Sequence, residues 1–381
     1  MTETTIDVGT LRAWLDRGRP VTVLDIRRPD ERAEWSIPGS LHVDAYEALK
    51  THDPDALRHV DLPMDVPVVT VCGAGKTSAI AAEQLRGRGV QALSLTGGMK
   101  AWSLAWNSAE VPIPRSEARV IQARRTGKGC LSYLIGAHGT ATVIDAALDP
   151  QVYLEVAQAC GWTITQVMDT HVHADHLSRS RMLAALTGAT LYLPDQRRVS
   201  YPFTAIRDQD VLTIGASGRT QHGRTQGSPL LTGLHTPGHT LESTCYLLDD
   251  RVLFTGDTLF LAGVGRPDLD ASSEEARARA HALYHSLQRL LDLPPETLIL
   301  PGHTSTPIAF DHVPLSATLA AVRTQISALQ MPEHTFVETI LSRIPPTPPN
   351  YHRIVELNET GTLPDGDPAD LEAGANRCAV A

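Results

Sequence analysis

The sequence predicts an α/β protein in two parts, an N-terminal parallel sheet with flanking helices followed by an α/β layered sandwich. Three observations carry this expectation. Strand and helix signals alternate from Val21 to Trp102, antiparallel hairpins interleaved with helices follow from Val120 onward, and the proline-bearing polar stretch Pro112 to Arg119 separates the two regimes. Alternating strands and helices bury a parallel sheet on both faces, whereas hairpins build antiparallel sheets. A chain of 381 residues is long enough for two or three such cores.

In chain order, Val21 to Ile26 is a short β-branched run, and Val66 to Val71 is another. The second leads through a Gly-rich loop into the helical stretch Thr77 to Arg86, and the strand-like Ala92 to Leu95 follows. Further on, Leu131 to Ile135 and Ala141 to Ile144 read as a hairpin across Ala137-His138-Gly139. Ile164 to Met168 reads as a buried strand, and Thr244 to Leu248 with Val252 to Phe254 reads as a second hairpin turning at Asp249-Asp250. Helices are expected near 151–160, 178–187, 274–292 and 315–329, before the proline-rich Pro345 to Pro349.

Composition excludes several classes of function. An apolar content of 42% with 20% charged residues is that of a soluble globular protein. A net charge of −10 argues against binding to a nucleic-acid backbone. No apolar run approaches a membrane span, and Met1 to Arg19 lacks the order of a signal peptide, so no membrane association is expected. Five widely spaced cysteines do not form a disulfide framework and fit a reducing cytoplasm.

The chemistry concentrates in Thr170-His171-Val172-His173-Ala174-Asp175-His176, where three histidines and an aspartate lie on a strand-to-helix loop. Imidazole and carboxylate are the side chains that hold zinc, iron or manganese at neutral pH. Three later segments each place a candidate ligand after an apolar strand and a small-residue turn. They are Leu234 to Thr240 with His239, Phe254 to Phe260 with Asp257, and Leu298 to His303 with His303. These seven residues allow two arrangements. In a dinuclear one, His171, His173 and His239 hold one ion, Asp175, His176 and His303 the other, and Asp257 bridges; two Zn(II) ions would then activate hydroxide. In a mononuclear one, His171, His239 and Asp257 hold a single Fe(II) in the two-histidine, one-carboxylate arrangement suited to dioxygen. His173, Asp175, His176 and His303 would then orient ligands from behind. Spacing alone does not choose.

A second candidate is Cys72, followed by Gly73, Ala74, Gly75, Lys76 and Thr77 at the opening of a helix. A phosphate-binding P-loop would need glycine at the position of Thr70, so that reading fails. Backbone N–H groups, the helix dipole and Lys76 favour thiolate instead, which makes Cys72 a candidate nucleophile. His281 and His285, four apart on an arginine-rich helix, are expected to be solvated rather than metal-binding. Cys130 and Cys245 are expected to be buried in strands.

On the His-x-His-x-Asp-His run and the later His239, Asp257 and His303, the chain resembles the metallo-β-lactamase superfamily. That resemblance implies an αββα sandwich with a metal cleft at its edge over 120–310, and a C-terminal helical extension over 311–381. The continuation Gly263 to Leu269 and the end Gly374 to Cys378 look like the persulfide dioxygenase branch, most like bacterial members fused to a rhodanese domain. By that resemblance iron oxidises the outer sulfur of a thiol persulfide to sulfite. Arg266 would be an anion contact there, or form a structural salt bridge to Asp268. One departure is Thr304-Ser305 after His303, where many persulfide dioxygenases and glyoxalase II enzymes carry an acidic residue and a tyrosine, which leaves the identity of the thiol carrier open. Leu24 to Arg27, Glu31, Ile37 to Ser40 and Gly97 to Trp102 resemble rhodanese sulfurtransferases. This implies a domain over 1–110, a linker over 111–119, and Cys72 as persulfide carrier, with Thr77 where many rhodaneses have arginine.

The two resemblances together imply an enzyme that oxidises a low-molecular-weight thiol persulfide with dioxygen while Cys72 exchanges sulfane sulfur with thiosulfate or sulfite. A dizinc thioester hydrolase of the glyoxalase II type, or a non-catalytic sulfur relay, are the alternatives. Homo-oligomerisation is compatible with either.

Overall fold

Valine runs build the first sheet. The computed structural model describes residues 4–114, 116–215, 228–374 and 376–380. Its N-terminal sheet runs in the order Thr5–Ile6, Ala92–Leu95, Val68–Val71, Thr22–Asp25, Leu41–His42, with every pair parallel. Val68, Val69 and Val71 are fully buried because helices cover both faces. Val68 packs in a cluster with Leu85 of the helix Lys76–Gly87, while its neighbour Val69 packs on the other side with Leu11 of the helix Val8–Asp16. Opposite faces for adjacent residues are what a strand's twofold alternation requires.

Two further sheets form the rest of the body. One has seven strands in the order Thr204–Ile206, Thr190–Pro194, Thr163–Met168, Thr140–Ile144, Leu131–Ala137, Arg119–Arg124, Asn107–Val111. The other has six, Val211–Thr213, Leu230–His235, Thr244–Leu248, Val252–Gly256, Leu298–Pro301, Ala317–Thr318. Tyr133, Ile135 and Met168 from the first meet Tyr246, Phe254 and Leu300 from the second in one buried cluster. The rings of Tyr133 and Phe254 meet edge to face at 5.0 Å. Helices Pro150–Ala159 and Ser180–Thr187 cover the outer face of the seven-stranded sheet, and Ser273–Leu291 with Glu333–Ser342 covers that of the six-stranded one. This is the expected αββα order.

Local chemistry explains the boundaries. Asp149 caps Pro150–Ala159 by accepting from the Gln151 N–H, and Ser272 with Glu275 forms a capping box for Ser273–Leu291. Both expected hairpins form, turning through left-handed pairs, His138 (φ 50°) with Gly139 (φ 78°) and Asp249 (φ 49°) with Asp250 (φ 56°). That is the twist two-residue hairpins need.

Two expectations are corrected. Asn107–Val111 is not the end of the first domain but the edge strand of the seven-stranded sheet, paired antiparallel with Arg119–Arg124, so the connection shortens to 112–118. Its inward Asn107 accepts from Arg124 Nε at 2.8 Å, and that buried polar pair hides the apolar alternation by which a strand is read. The helix expected over 315–329 is interrupted. Ala317–Thr318 pairs with Leu298–Ile299, and only Leu319–Gln325 and a 3₁₀ turn at Ser327–Gln330 are helical.

The C-terminal segment returns across the body. Helices Tyr351–Thr360 and Ala369–Glu372 precede the strand Ala379–Val380, which pairs with Val264–Gly265. Among the described residues no helix is long and apolar enough to cross a membrane. Glu372 is fully buried. It pairs with Arg125 at 3.0 Å and with Arg179, and it accepts from the Leu177 N–H at 2.6 Å. Burial alone would raise its carboxyl; Arg125 and Arg179 overturn this and hold it at about 2.

Replacing Glu372 by Ala strands two buried guanidiniums, so a loss of about 3–5 kcal/mol is expected in urea unfolding. Because the folded value lies below the ordinary 4.5, this stabilisation is complete above 4.5 and is lost as pH falls toward about 2. Urea midpoints measured across that window should fall for the wild type and lose this component in Glu372→Gln.

Candidate metal centre

Five strand ends converge at one edge of the sandwich. Asp145 follows Thr140–Ile144, the motif loop follows Thr163–Met168, His239 follows Leu230–His235, Asp257 follows Val252–Gly256, and His303 follows Leu298–Pro301. The loop is held from within. Asp145 accepts from the Thr170 N–H at 2.7 Å and from its hydroxyl at 2.9 Å, and Asp169 accepts from Ser180 and Ser178. Asn358 donates to the carbonyls of His173 and His176 at 2.8 and 2.9 Å.

The ligand atoms of His171, His239 and Asp257 all lie within 4.8 Å of one another, and all three residues are buried. Their hydrogen bonds set the tautomers. The Thr170 hydroxyl gives its proton to Asp145, so it accepts from His171 Nδ1 at 2.9 Å and leaves Nε2 with its lone pair. His239 Nδ1 donates to the Arg266 carbonyl at 2.8 Å, which likewise frees Nε2. Asp257 accepts from His303 Nδ1 through Oδ1 at 2.6 Å, so Oδ2 faces the two imidazoles, 3.8 Å from His171 Nε2 and 3.6 Å from His239 Nε2. His171 Nε2 and Asp257 Oδ2 are buried without any partner. Two lone-pair donors and one carboxylate oxygen, aimed together and otherwise unsatisfied, fit a divalent ion.

Electrostatics agree. Burial, then His173, pushes His171 well below its ordinary value, and burial lowers His239, so both are neutral ligands. Burial would raise Asp257, but His303 and then His171 and His239 hold it well below the carboxylate range. Gly302 permits the close approach, since a Cβ there would lie 2.8 Å from Asp257 Oδ1.

The other motif residues fall into different groups. His173 turns its Nε2 toward Asp145 at 3.2 Å and converges with Asp145 and Asp169, not with His171 and His239. Asp175, His176 and His303 do converge, together with Cys130. Asp175, however, is already engaged by His176 Nδ1 at 3.0 Å, His303 Nε2 at 2.9 Å, Asn376 Nδ2 at 2.9 Å and the Cys130 thiol at 3.6 Å. Against burial, Asp175 raises His303 well above its ordinary value and His176 to about 10.

Arg266 forms the salt bridge to Asp268 that was one of its two expected roles. Its guanidinium is fully buried and commits four of its five N–H groups, to Asp268 at 2.8 and 2.7 Å and to the carbonyls of Pro346 and Arg377. What it offers the centre is its backbone carbonyl to His239. Asp145, Asp169, Cys130, Asn376 and Cys378 are site residues that the motif search passes over. Asp145 follows an apolar strand as the ligands do and could have been found that way. The Cys130 thiol carries no spacing signal; burial and Asp175 would raise it, but His176 and His303 bring it to about 6. Cys378, converging with Asp257 and His303, arrives from the far end of the chain. His281 and His285 share Glu333 at 2.7 and 3.1 Å on the surface, as solvated side chains do.

In the first domain the Cys72 sulfur accepts from the Gly75 N–H at 3.1 Å and the Ser78 N–H at 3.3 Å. The loop Gly73 to Thr77 thus cups the sulfur, with Gly75 left-handed (φ 86°) and Lys76 and Ala74 exposed while Thr77 is buried. Gly98 must lack a side chain, because a Cβ there would overlap the Cys72 carbonyl oxygen.

The family model of the metallo-β-lactamase superfamily matches residues 125–303, and that of the rhodanese-like domain matches residues 7–105. The hydroxyacylglutathione hydrolase of Maricaulis maris is 35% identical over 171 residues, 44% of this chain and 59% of that protein. That of Methylococcus capsulatus is 30% identical over 221 residues, 55% of this chain and 78% of that protein. The chain therefore spans about three fifths of the Maricaulis relative's length. Among solved structures, a metallo-β-lactamase from Staphylococcus aureus superposes with a TM-score of 0.56 and 28% identity, covering 65% of this chain and 74% of that one. ETHE1 from Myxococcus xanthus superposes with a TM-score of 0.52 and 27% identity, covering 68% of this chain and 100% of that one.

Alanine at His171, His239 or Asp257 is expected to abolish metal retention, measured by elemental analysis after anaerobic purification. His303→Asn, which removes the support of Asp257 Oδ1, should retain metal but bind it about 10–100-fold more weakly in chelator competition.

Proposed function

We propose that this chain, which belongs to the metallo-β-lactamase superfamily and carries a rhodanese-like domain before it, is a cytoplasmic persulfide dioxygenase joined to a thiosulfate sulfurtransferase. The observation that carries the reading is the convergence of His171, His239 and Asp257, a face of two imidazoles and one carboxylate, with His171 Nε2 and Asp257 Oδ2 buried and unpartnered. The match over the whole length of the Myxococcus ETHE1 structure supports it. So does the joined cysteine domain, whose chemistry handles the same sulfur species.

Iron(II) held there would supply the redox chemistry that joins dioxygen to the outer sulfur. Thiol persulfide, dioxygen and water give thiol, sulfite and two protons. The protein's part is positional. The Thr170 hydroxyl and the Arg266 carbonyl fix the imidazoles, and His303 fixes the carboxylate. A cavity of about 120 Å³ beside His239, lined also by Val172, Ala174 and Tyr351, has room for the end of a small persulfide. In the other domain Cys72 would attack the sulfane sulfur of a donor and carry it as a persulfide, whose negative charge the N–H groups of Gly75 and Ser78 stabilise.

The second reading, a dizinc thioester hydrolase, draws on the hydroxyacylglutathione hydrolase relatives and on the convergence of Asp175, His176 and His303. His176 Nε2 and His303 Nε2, buried without a hydrogen-bond partner, favour this reading too, whereas the three hydrogen bonds that Asp175 accepts from His176, Asn376 and Cys130 weigh against it, because a second ion would have to displace them.

Anaerobically purified protein is expected to hold one iron per chain and to take up oxygen with glutathione persulfide as probe; two zincs and no uptake would replace this reading by the hydrolase. Cys72→Ser should abolish thiosulfate-to-cyanide sulfur transfer and leave oxygen uptake unchanged.

A further inference from the structure

The cavity beside His239 carries two uncommitted charges of opposite sign. Val172, Ala174 and Val355 give it an apolar wall, and four charged residues line the remainder, Arg198, Glu242, Asp270 and Arg279. Arg198 and Glu242 offset each other, because they pair at 3.2 Å, and Arg198 also pairs with Glu359 at 2.8 Å. Arg279 and Asp270 are different. Among the described residues neither forms an ion pair, and the Asp270 carboxylate accepts no hydrogen bond. Glu275, the acid one turn before Arg279, is committed to the capping box with Ser272.

Both charges are held in place by backbone contacts. Arg279 donates to the carbonyls of Leu269 at 2.8 Å and Asp270 at 3.4 Å, so it fixes the loop that bears the aspartate. Asp270 is left-handed (φ 53°), a conformation that aspartate tolerates better than most side chains. The helix Ser273–Leu291 that carries Arg279 is fixed in turn to the ligand loop. Its Leu283, one turn after Arg279, packs so closely on Gly238 that a Cβ there would lie 2.4 Å from the leucine Cβ. His239 is the next residue.

An exposed carboxylate and a half-buried guanidinium that line one cavity without pairing fit a ligand that bears both charges. An α-amino-acid group is such a ligand, since its carboxylate suits a guanidinium and its ammonium suits a carboxylate. Resting on the dioxygenase function proposed above, we propose that the thiol persulfide is recognised by an α-amino-acid head, its carboxylate on Arg279 and its ammonium on Asp270, with its sulfur end toward His239. Both residues set specificity and take no part in the chemistry. Arg266 does not compete for this role, because it is committed to Asp268 and does not line the cavity. Cysteine persulfide and glutathione persulfide each carry such a head, at different distances from the sulfur.

The test compares oxygen uptake by the iron-loaded full-length enzyme with the persulfides of cysteine, glutathione, 3-mercaptopropionate and cysteamine. The third lacks the ammonium and the fourth lacks the carboxylate. Each of these two should show a kcat/KM about tenfold below that of the better amino-acid persulfide, chiefly through KM, and the better one identifies the carrier. Asp270→Asn, which suits the left-handed backbone, should erase the preference over 3-mercaptopropionate persulfide and keep that over cysteamine persulfide. Arg279→Gln should do the reverse, and Arg279→Lys should restore part of what it loses. A merely structural role would lower all four together. Anaerobic calorimetry with the corresponding thiols, which needs no turnover, should rank their Kd values in the same order. Equal kcat/KM and equal Kd across the probes would overturn head recognition and leave the dioxygenase standing. Absence of oxygen uptake with every probe would overturn both.

Discussion

Burial of charge is the constraint on which the cleft depends. Asp257, His303 and Asp175 form one line, a hydrogen bond from His303 Nδ1 to Asp257 and an ion pair of His303 with Asp175, with every member at most 3% exposed. Removing one such ion from water costs several kcal/mol unless a partner offsets it. The line commits Asp257 Oδ1 to His303 Nδ1 and leaves the other oxygen, Asp257 Oδ2, uncommitted. That residual oxygen, with the two imidazole lone pairs beside it, is what makes the site a ligand set and not merely a buried salt-bridge network. His173 and its carboxylates Asp145 and Asp169 form a separate cluster behind the loop, steadying Thr170 and through it His171.

The same constraint explains why the C-terminal segment returns to the centre. Asp175 could not stay ionised in the interior on His303 and His176 alone without leaving a lone pair unused, and Asn376 supplies the remaining N–H. Glu372, four residues earlier, neutralises Arg125 and Arg179 and holds the Leu177 N–H at the end of the motif loop. Arg125 in turn donates to the Ser103 carbonyl at the end of the first domain. One buried carboxylate thereby couples the metal loop, the tail and the domain junction.

Much of this was legible in the residues. Hairpins with Asp249-Asp250 and His138-Gly139 turns, the capped helices and the strand–turn–ligand segments were recovered because each is a local pattern. The strand Asn107–Val111 was not, since its inward Asn107 is satisfied by Arg124 and the alternation that betrays a strand is absent. Arg266 was legible in its salt bridge to Asp268, one of the two roles its position suggested. Its further partners, the carbonyls of Pro346 and Arg377, lie 80 and 111 residues away, and no local pattern announces them.

By itself the sequence determined an α/β layered body, the cysteine loop and all seven imidazole and carboxylate candidates, because strand periodicity and turn chemistry act over a few residues; the αββα order came from the family resemblance. Tertiary structure decided which of the seven aim at one point. Convergence depends on hydrogen bonds between strand ends up to 46 residues apart, as in His303 to Asp257, and on a tail that reaches Asp175 from 201 residues away. Tautomer, free lone pair and saturated carboxylate are properties of those long-range partners, and no spacing within a motif contains them.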